Sequence, residues 1–200
     1  AEAYNVSFEE INITAAVRQH FIDIKHDESV TDITYENSQA RERTKILMNL
    51  SNKYGGLVIG TGDLSELALG WATYNGDHMS MYAVNVSIPK TLVRYLTAYE
   101  AEISDGELKT VLLDVLDTPV SPELLPPDKN GEIAQKTEDV VGPYELHDFF
   151  LYYFVRFGFT PSKIYYLAKH SFAGKYNNDT IKKWLVTFLK RFFSQQFKRS

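Results

Sequence analysis

The spacing of hydrophobic and polar positions predicts a chain of helices with one short buried strand. Apolar residues recur at helical spacing over residues 14–25, 36–54, 64–74, 89–102 and 108–116. Between the second and third of these helices, residues 56–61 form an apolar run bounded by glycine, which is typical of a strand covered on both faces. The order helix, buried strand, helix indicates an α/β fold with a parallel sheet.

Residues at the ends of these segments supply the expected caps. Asn37 is a candidate N-cap for the second helix, and Gly55 is a candidate stop. Two stretches, residues 63–66 and 104–107, have the spacing of a capping box. Residues 6–13 alternate like a strand only at their ends, because a pair of glutamates interrupts the pattern. These signals set where we expect the first helices to begin and end.

The stretch from residue 118 to residue 143 differs in composition from the rest of the chain. It holds five of the seven prolines, at positions 119, 122, 126, 127 and 143. Proline lacks an amide hydrogen and fits poorly inside helices and central strands, so we expect a long loop here. This loop divides an α/β part, residues 1–117, from a helical part, residues 144–200.

Composition and charge exclude several classes of function. Apolar residues make up 44% of the 200 residues, which is enough for a buried core. Lys and Arg number 21 against 26 Asp and Glu, a formal net charge of −5, so the basic footprint of a nucleic-acid-binding protein is missing. The chain has no cysteine. This excludes a disulfide scaffold, a thiolate zinc site and a cysteine nucleophile within it, and it fits a reducing cytoplasm.

Several common signatures are missing from the 200 residues. No apolar run reaches the roughly 18 residues of a membrane span. The five histidines lack the spacing of a metal site. There is neither a G-x-x-x-x-G-K-[ST] phosphate loop nor a Ser-Gly-Gly-x-Asp-Ser pyrophosphate loop. A membrane partner and the usual phosphate cradles are therefore not predicted.

A ligand-binding site is expected at the carboxyl end of the predicted strand, because open α/β sheets bind their ligands there. Gly60, Thr61 and Gly62 allow a ligand to approach the backbone closely. Asp63 and Glu66 add two carboxylates, and carboxylates beside phosphate point to a bridging Mg²⁺. The alternative is that both side chains only cap the following helix, and their spacing alone favours the cap.

Five segments of the chain, in order along nearly its whole length, carry a family pattern. The most specific is the run GTGDLSELALGW at residues 60–71, and the others lie at 36–41, 76–80 with 89–91, 137–146 and 194–200. Together they resemble the synthetase domain of the glutamine-dependent NAD⁺ synthetase family. The resemblance implies a fold of the adenine nucleotide alpha-hydrolase or ATP-pyrophosphatase type. It implies a parallel sheet that is flanked by helices, incomplete, and followed by a helical C-terminal part.

The resemblance implies an enzyme, a glutamine-hydrolysing ligase of the cytoplasm. In this family, ATP and Mg²⁺ adenylate the nicotinate carboxylate of deamido-NAD⁺ (nicotinic acid adenine dinucleotide), and pyrophosphate is released. Ammonia, which an upstream glutaminase domain supplies from glutamine, then attacks the acyl adenylate, and AMP leaves. The implied partners are ATP, deamido-NAD⁺ and ammonia or glutamine, with a homo-oligomer for the full-length enzyme and neither nucleic acid nor membrane.

The resemblance also implies roles for individual residues. Glu66 and Lys198 are the implied catalytic residues: Glu66 holds Mg²⁺ or the substrate end of the site, and Lys198 clamps phosphate or deamido-NAD⁺. Thr61 is implied to contact ATP. The implied deamido-NAD⁺ contacts also include Asn37, Trp71, Ala72, Thr73 and Tyr74 and, more weakly, Arg41, Asp77 and Lys90. The indole of Trp71 is implied to stack on the pyridine ring, and the segment 118–143 is implied to be a mobile cover.

The sequence departs from the family pattern in two respects. The Ser-Gly-Gly-x-Asp-Ser loop and the glutaminase domain with its cysteine are not in these 200 residues. We therefore expect residues 1–200 to be a portion of the synthetase domain of a larger enzyme and to be inactive alone. Two alternatives remain open. One is a non-catalytic binding or assembly module of the same fold. The other is another ATP-pyrophosphatase ligase, such as one that makes GMP or asparagine, and the run at residues 62–71 argues against it.

Overall fold

The computed structural model describes residues 1–118 and 137–199, and within these ranges the chain forms nine α-helices and two short strands. The strands are β1, Ile59–Gly60, and β2, Tyr82–Ala83. The helices are α1 Thr14–Ile24, α2 Ile33–Tyr54, α3 Leu64–Leu69, α4 Lys90–Ile103, α5 Gly106–Asp117, α6 Thr137–Val141, α7 Tyr144–Leu151, α8 Pro161–Ser171 and α9 Asn178–Ser194. A π-helical turn, Tyr152–Arg156, continues α7, and 3₁₀ turns cover Glu2–Tyr4 and Gln196–Arg199.

The sheet consists of β1 and β2, which pair in parallel with Ile59 opposite Tyr82. The predicted α/β class with a parallel sheet and a helical C-terminal part is confirmed. The prediction that the strand is covered on both faces is wrong, because Leu57 and Ile59 are 69% and 51% exposed while Val58 is buried. Alternate residues of a strand point to opposite faces, so only the face that carries Val58 is covered.

Helix α2 begins earlier than the sequence predicts. Its N-cap is Asp32, whose carboxylate accepts from the amides of Thr34 and Tyr35 at 2.8 and 3.1 Å. Asn37 therefore lies inside the helix, and the predicted Asn37 cap is wrong. The predicted stop is confirmed, because Gly55 adopts the left-handed conformation (φ 65°) that commonly ends helices.

Helix α3 ends earlier than predicted, at Leu69, because Gly70 also takes the left-handed conformation (φ 60°). Of the two predicted capping boxes, the one at the start of α3 is present. The second is wrong, since Asp105 precedes α5 without a side-chain hydrogen bond. Residues 6–13 form no strand. Spacing therefore locates the helices well and their ends less well.

The main hydrophobic core lies between α7, α8 and α9, and α3 packs onto it. Its fully buried members are Leu69, Val141, Leu146, Phe150, Ile164, Ala168, Ile181 and Phe188. Burying a large apolar side chain contributes about 1.5–3 kcal/mol, so Leu69 fixes the short helix α3 against the C-terminal part. The N-terminal half adds two further helix pairs, α1 packed on α2 and α4 packed on α5.

Part of the predicted loop is helical. Residues 119–136 of that segment lie outside the described residues, but Thr137–Val141 forms α6, so the loop prediction is wrong there. The backbone after α6 turns at Gly142 (φ 97°), which lies so close to the Trp184 ring that a side chain at 142 would overlap it. No helix in the described ranges is both long and apolar enough to cross a membrane.

Candidate functional site

The predicted site residues gather at the two ends of α3. At its amino end, Glu66 meets Asp63 and Lys90, a group we call the acidic end. At its carboxyl end, the segment 70–74 meets Lys198 from the last residues of the chain. Six helical residues rise about 9 Å, so the two implied catalytic residues contact opposite ends of one short helix.

A capping box forms the acidic end. The Asp63 carboxylate accepts from the Glu66 amide at 2.9 Å, and the Glu66 carboxylate accepts from the Asp63 amide at 3.1 Å. The interpretation of these side chains as a helix cap is therefore confirmed. The cap uses one oxygen of Glu66 and leaves the other for Lys90.

Lys90 reaches this pair from the first turn of α4. Its ammonium lies 2.6 Å from a carboxylate oxygen of Asp63 and 2.6 Å from one of Glu66. Burial raises the pKa of Glu66, and the charge of Asp63 raises it further. Burial acts to lower the pKa of Lys90, but the charges and hydrogen bonds of the two carboxylates outweigh it, so that pKa ends above its ordinary value.

The acidic end has one carboxylate more than it has cations. Mg²⁺ is commonly held by one or two carboxylates together with substrate phosphates. Glu66 fits that role because 25% of its side chain is exposed, whereas Asp63 is 2% exposed and closed off by Lys90. The described residues contain no group of three His, Cys, Asp or Glu side chains that could hold a metal without such a substrate.

Thr61 lies in the turn between β1 and α3. It is exposed, and its carbonyl accepts from Nδ2 of Asn85 at 3.2 Å. The amide of Leu64 donates to the Ile88 carbonyl at 3.0 Å, which ties the start of α3 to the same following segment. The turn is thus held open to solvent beside the acidic end.

At the carboxyl end of α3, helix α2 meets the segment that follows α3, around Thr73. Its hydroxyl donates to Oδ1 of Asn37 at 2.8 Å, and its amide donates to Oδ1 of Asp77 at 2.6 Å. Nε of Arg41 donates to the Tyr74 carbonyl at 3.3 Å. The structure therefore brings together five of the residues that the resemblance implies as deamido-NAD⁺ contacts.

Three cations from the end of the chain cover the carboxyl end of α3, and we call them the tail clamp: Arg191, Lys198 and Arg199. They donate to backbone carbonyls at 2.7–3.1 Å, Arg191 to Leu69, Lys198 to Gly70 and Ala72, and Arg199 to Leu67 and Ala68. The last carbonyls of a helix lack intrahelical partners and carry partial negative charge, so cations stabilise this position.

The tail clamp also orders the aromatic side chains of the predicted pocket. The Arg191 guanidinium lies over the half-buried Trp71 ring, 5.3 Å from its centre, which is a cation–π contact. The Tyr74 ring packs edge-on against Phe197 of the tail at 5.5 Å. Burial lowers the pKa of Lys198, and the nearby charge of Arg191 lowers it further.

Lys90 and Tyr144 line a cavity of about 480 Å³ between α4, α5, α6 and α7. The Lys90 ammonium lies 5.5 Å from the centre of the Tyr144 ring. Among the described residues the Tyr144 hydroxyl has no hydrogen-bond partner, although it is buried. Burial, and then the charges of Glu66 and Asp63, raises the pKa of Tyr144, so the hydroxyl stays protonated.

Sequence reasoning misses several residues at this site. Arg191 and Asp148 contact the site across 122 and 57 positions, and no spacing rule connects positions so far apart. Tyr144 and Arg199 belong to two of the segments that carry the resemblance, so those segments could have identified them. His147 is buried in the core beside the site, where burial lowers its pKa to about 4 and keeps it neutral.

Comparison with known proteins finds relatives that align with this chain along its whole length. Residues 1–165 match the family model described as NAD synthase. Glutamine-dependent NAD(+) synthetase of Mycobacterium tuberculosis is 44% identical over 226 residues, which cover 100% of this chain and 33% of that protein. The enzyme of the same name from Mycobacterium leprae is 43% identical over 222 residues, with coverages of 99% and 32%. The chain therefore spans about a third of the length of these curated relatives.

Solved structures share the fold. NMN synthetase from Francisella tularensis has a TM-score of 0.66 at 23% identity and covers 98% of this chain and 66% of that chain. A glutamine-dependent NAD(+) synthetase from Cytophaga hutchinsonii has a TM-score of 0.70 at 22% identity, with coverages of 99% and 30%. The synthetase from Acinetobacter baumannii, solved with adenosine diphosphate, has a TM-score of 0.54 at 24% identity, with coverages of 96% and 32%. These similarities confirm the predicted fold type.

Proposed function

This chain belongs to the NAD synthase family, and from this premise we propose that it performs the ATP-dependent amidation of deamido-NAD⁺ within a glutamine-dependent NAD⁺ synthetase. The nicotinate carboxylate attacks the α-phosphate of ATP, which forms an acyl adenylate and releases pyrophosphate. Ammonia then attacks the acyl carbon, and the products are NAD⁺ and AMP. Glutamine supplies the ammonia at a glutaminase site outside these 200 residues.

The observation that carries the proposal is the meeting of α2, the segment 70–74 and the tail at the carboxyl end of α3. Asn37 and Thr73 are 36 positions apart, and Ala72 and Lys198 are 126 apart, yet a hydrogen bond joins each pair. Amide, hydroxyl and ammonium groups are suited to ribose and phosphate oxygens. The indole of Trp71 is suited to stacking on a pyridine ring.

In this proposal, Lys198 anchors the dinucleotide. An ammonium has three donors, and two of those on Lys198 bond to the carbonyls of Gly70 and Ala72. The third donor is available to a phosphate or carboxylate of deamido-NAD⁺. Burial, and then the charge of Arg191, lowers the pKa of Lys198, and an anion bound between the two cations would be attracted by both charges.

We assign adenylation to the acidic end. Mg²⁺, when bound, neutralises phosphate charge and so favours the approach of the substrate carboxylate. Glu66 would hold the ion, Thr61 would contact ATP, and Lys90 would offset the negative charge that develops on the phosphates. The two ends of α3 thus serve the two substrates of the first step.

Two further properties follow the resemblance alone, and we include them in the proposal. The full-length enzyme acts in the cytoplasm and is a homo-oligomer. Fractionation of the source cells tests the first property, and light scattering of the purified full-length protein tests the second.

The function is tested with the full-length protein, ATP, Mg²⁺, deamido-NAD⁺ and an ammonium salt, which bypasses the glutaminase site. We expect NAD⁺, AMP and pyrophosphate in equal amounts, measured by chromatography. Release of ADP and phosphate would overturn the adenylate mechanism. Binding of deamido-NAD⁺ without turnover would favour the non-catalytic module, and turnover of xanthosine monophosphate or aspartate instead would favour another amide ligase.

A further inference from the structure

A buried carboxylate caps helix α4 from a different helix. Pro89, the residue before α4, offers no side-chain acceptor. The first two amides of α4 are instead bonded from outside it: the Lys90 amide donates to Oγ of Ser65 at 2.8 Å, and the Thr91 amide donates to Oδ2 of Asp148 at 2.8 Å. Asp148 belongs to α7 and is 8% exposed.

Asp148 also joins α4 to α3. Its Oδ2 accepts a second hydrogen bond, from the Thr91 hydroxyl at 2.7 Å, and its Oδ1 accepts a short one from the Ser65 hydroxyl. None of the described Lys or Arg side chains lies within 4.0 Å of Asp148. A buried carboxylate is costly unless it is hydrogen-bonded, so these three bonds fix its position and those of its partners.

The partners of Asp148 are the immediate neighbours of the acidic end. Ser65 precedes Glu66, and Thr91 follows Lys90. The Glu66 carboxylate and the Lys90 ammonium then meet at 2.6 Å. One carboxylate on α7 therefore sets the first turn of α3 against the first turn of α4, and with them the two charged side chains of the acidic end.

We propose that Asp148 is a positioning residue for adenylation, which holds Lys90 and Glu66 in register through Thr91 and Ser65. The inference rests on the proposed function, since it assigns Asp148 to the same site. A misplacement of about 1 Å at a reacting group can cost 100-fold in rate. A residue that only stabilised the fold would change the amount of folded enzyme but not the turnover of the folded fraction.

The test compares Asp148→Ala with the matched pair Thr91→Val and Thr91→Ser in the full-length protein. Each is assayed with an ammonium salt, well below its melting temperature. For Asp148→Ala and Thr91→Val, we expect kcat to fall between about 10- and 100-fold, with the KM for deamido-NAD⁺ within about twofold of the unsubstituted enzyme. Thr91→Ser keeps the hydroxyl and should restore kcat. Thr97→Val, whose hydroxyl donates within α4 to the Val93 carbonyl, is the control.

The ATP–pyrophosphate exchange that depends on deamido-NAD⁺ isolates the adenylation step, and we expect it to fall as far as kcat does. Unchanged kcat with a lower melting temperature would overturn the inference, as would equal losses in Thr91→Val and Thr91→Ser. If Asp148→Ala does not fold, the Thr91 pair decides alone. An unsubstituted enzyme that makes no NAD⁺ would overturn the proposed function and this inference together, whereas an active enzyme with unaffected variants would overturn the inference only.

Discussion

The two ends of α3 are held in different ways. At the acidic end, the capping residues Asp63 and Glu66 are three positions apart, and Lys90 lies 24 positions beyond Glu66. At the other end, the tail clamp reaches the helix across 122 to 132 positions. The two carboxylates of the first arrangement belong to one local turn, although Asp148 on α7 fixes that turn against α4, whereas every cation of the second comes from the far end of the chain. A helix of six residues thus joins a local motif to the global fold.

The two ends also differ in charge. Carboxylates lie at the amino end, where helix amides carry partial positive charge, and the cations of the tail clamp lie at the carboxyl end. Both arrangements therefore stabilise α3 before any ligand binds. In our proposal the same charges then act on ligands, with Mg²⁺ and ATP at one end and the dinucleotide at the other.

The largest effect is expected at the acidic end. There, Glu66→Gln removes the carboxylate charge but keeps an oxygen that can cap the helix. Glutamine can still accept from the Asp63 amide, and Lys90 keeps its ion pair with Asp63, so only the Glu66–Lys90 pair is lost and the free energy of unfolding should fall by about 2 kcal/mol. Loss of the carboxylate charge should lower kcat for NAD⁺ formation on the order of 100-fold. Activity assays and urea unfolding measure the two quantities.

The matched control for this variant is Glu102→Gln, an exposed position on α4, which should keep both values. Full activity in Glu66→Gln would mean that the acidic end is only a helix cap. The contrast between the two ends would then be structural and not catalytic.

The next effect is expected at the tail clamp. In Arg199→Ala, the carbonyls of Leu67, Ala68 and Phe192 lose a charged donor together, which should lower the free energy of unfolding by about 2 kcal/mol. The KM for deamido-NAD⁺ should rise more than kcat falls, because the segment 70–74 loosens. Lys190→Ala, exposed on α9, is the control. Unchanged stability in Arg199→Ala would show that α3 does not depend on the clamp.

A smaller effect is expected within the predicted pocket. Thr73→Val removes the hydrogen bond to Asn37, which should cost about 1 kcal/mol of dinucleotide binding, or about fivefold in KM. Thr73→Ser retains the hydroxyl and should bind normally. Equal KM values for the two variants would show that the Asn37 contact does not shape the pocket.

The subtlest difference between the ends is the titration of their lysines. NMR of labelled lysine side chains should find the pKa of Lys90 above the ordinary 10.5 and that of Lys198 below it. The folded state then binds the proton of Lys90 more tightly, so that contribution to stability is present below pH 10.5 and lost above it. Lys198 acts in the opposite direction, and its contribution rises with pH in the window below 10.5. Lys90→Met and Lys198→Met assign the signals, and shifts of the same sign would contradict the comparison.

The sequence predicted those parts of the fold that depend on neighbours along the chain. The capping box of α3 and the stop at Gly55 both follow from residue types at fixed spacing. The start of α2 could not be found in this way, because Ile33 in its first turn is 71% exposed and the apolar period begins later than the helix does. The exposure of Ile59 could not be found either, since an apolar run looks the same whether one or both of its faces are covered.

For the candidate site, the resemblance supplied the residues and the structure supplied their grouping. Sequence alone did not divide the predicted contacts between two ends of one helix. Nor did it reveal Asp148, because a single aspartate in an apolar helical stretch has no spacing signal that names Ser65 and Thr91 as its partners. Such contacts are decided by tertiary packing and so become visible only in three dimensions.

The tail clamp has a consequence for how sequences of this kind can diverge. Its cations bond to main-chain oxygens, which every amino acid carries. Apart from Trp71, whose ring contacts Arg191, a substitution along 67–72 therefore calls for no compensating change at 191, 198 or 199, and these hydrogen bonds leave no pair of positions that vary in concert. An alignment of many such sequences would show three conserved cationic positions and a helix whose substitutions vary independently of them.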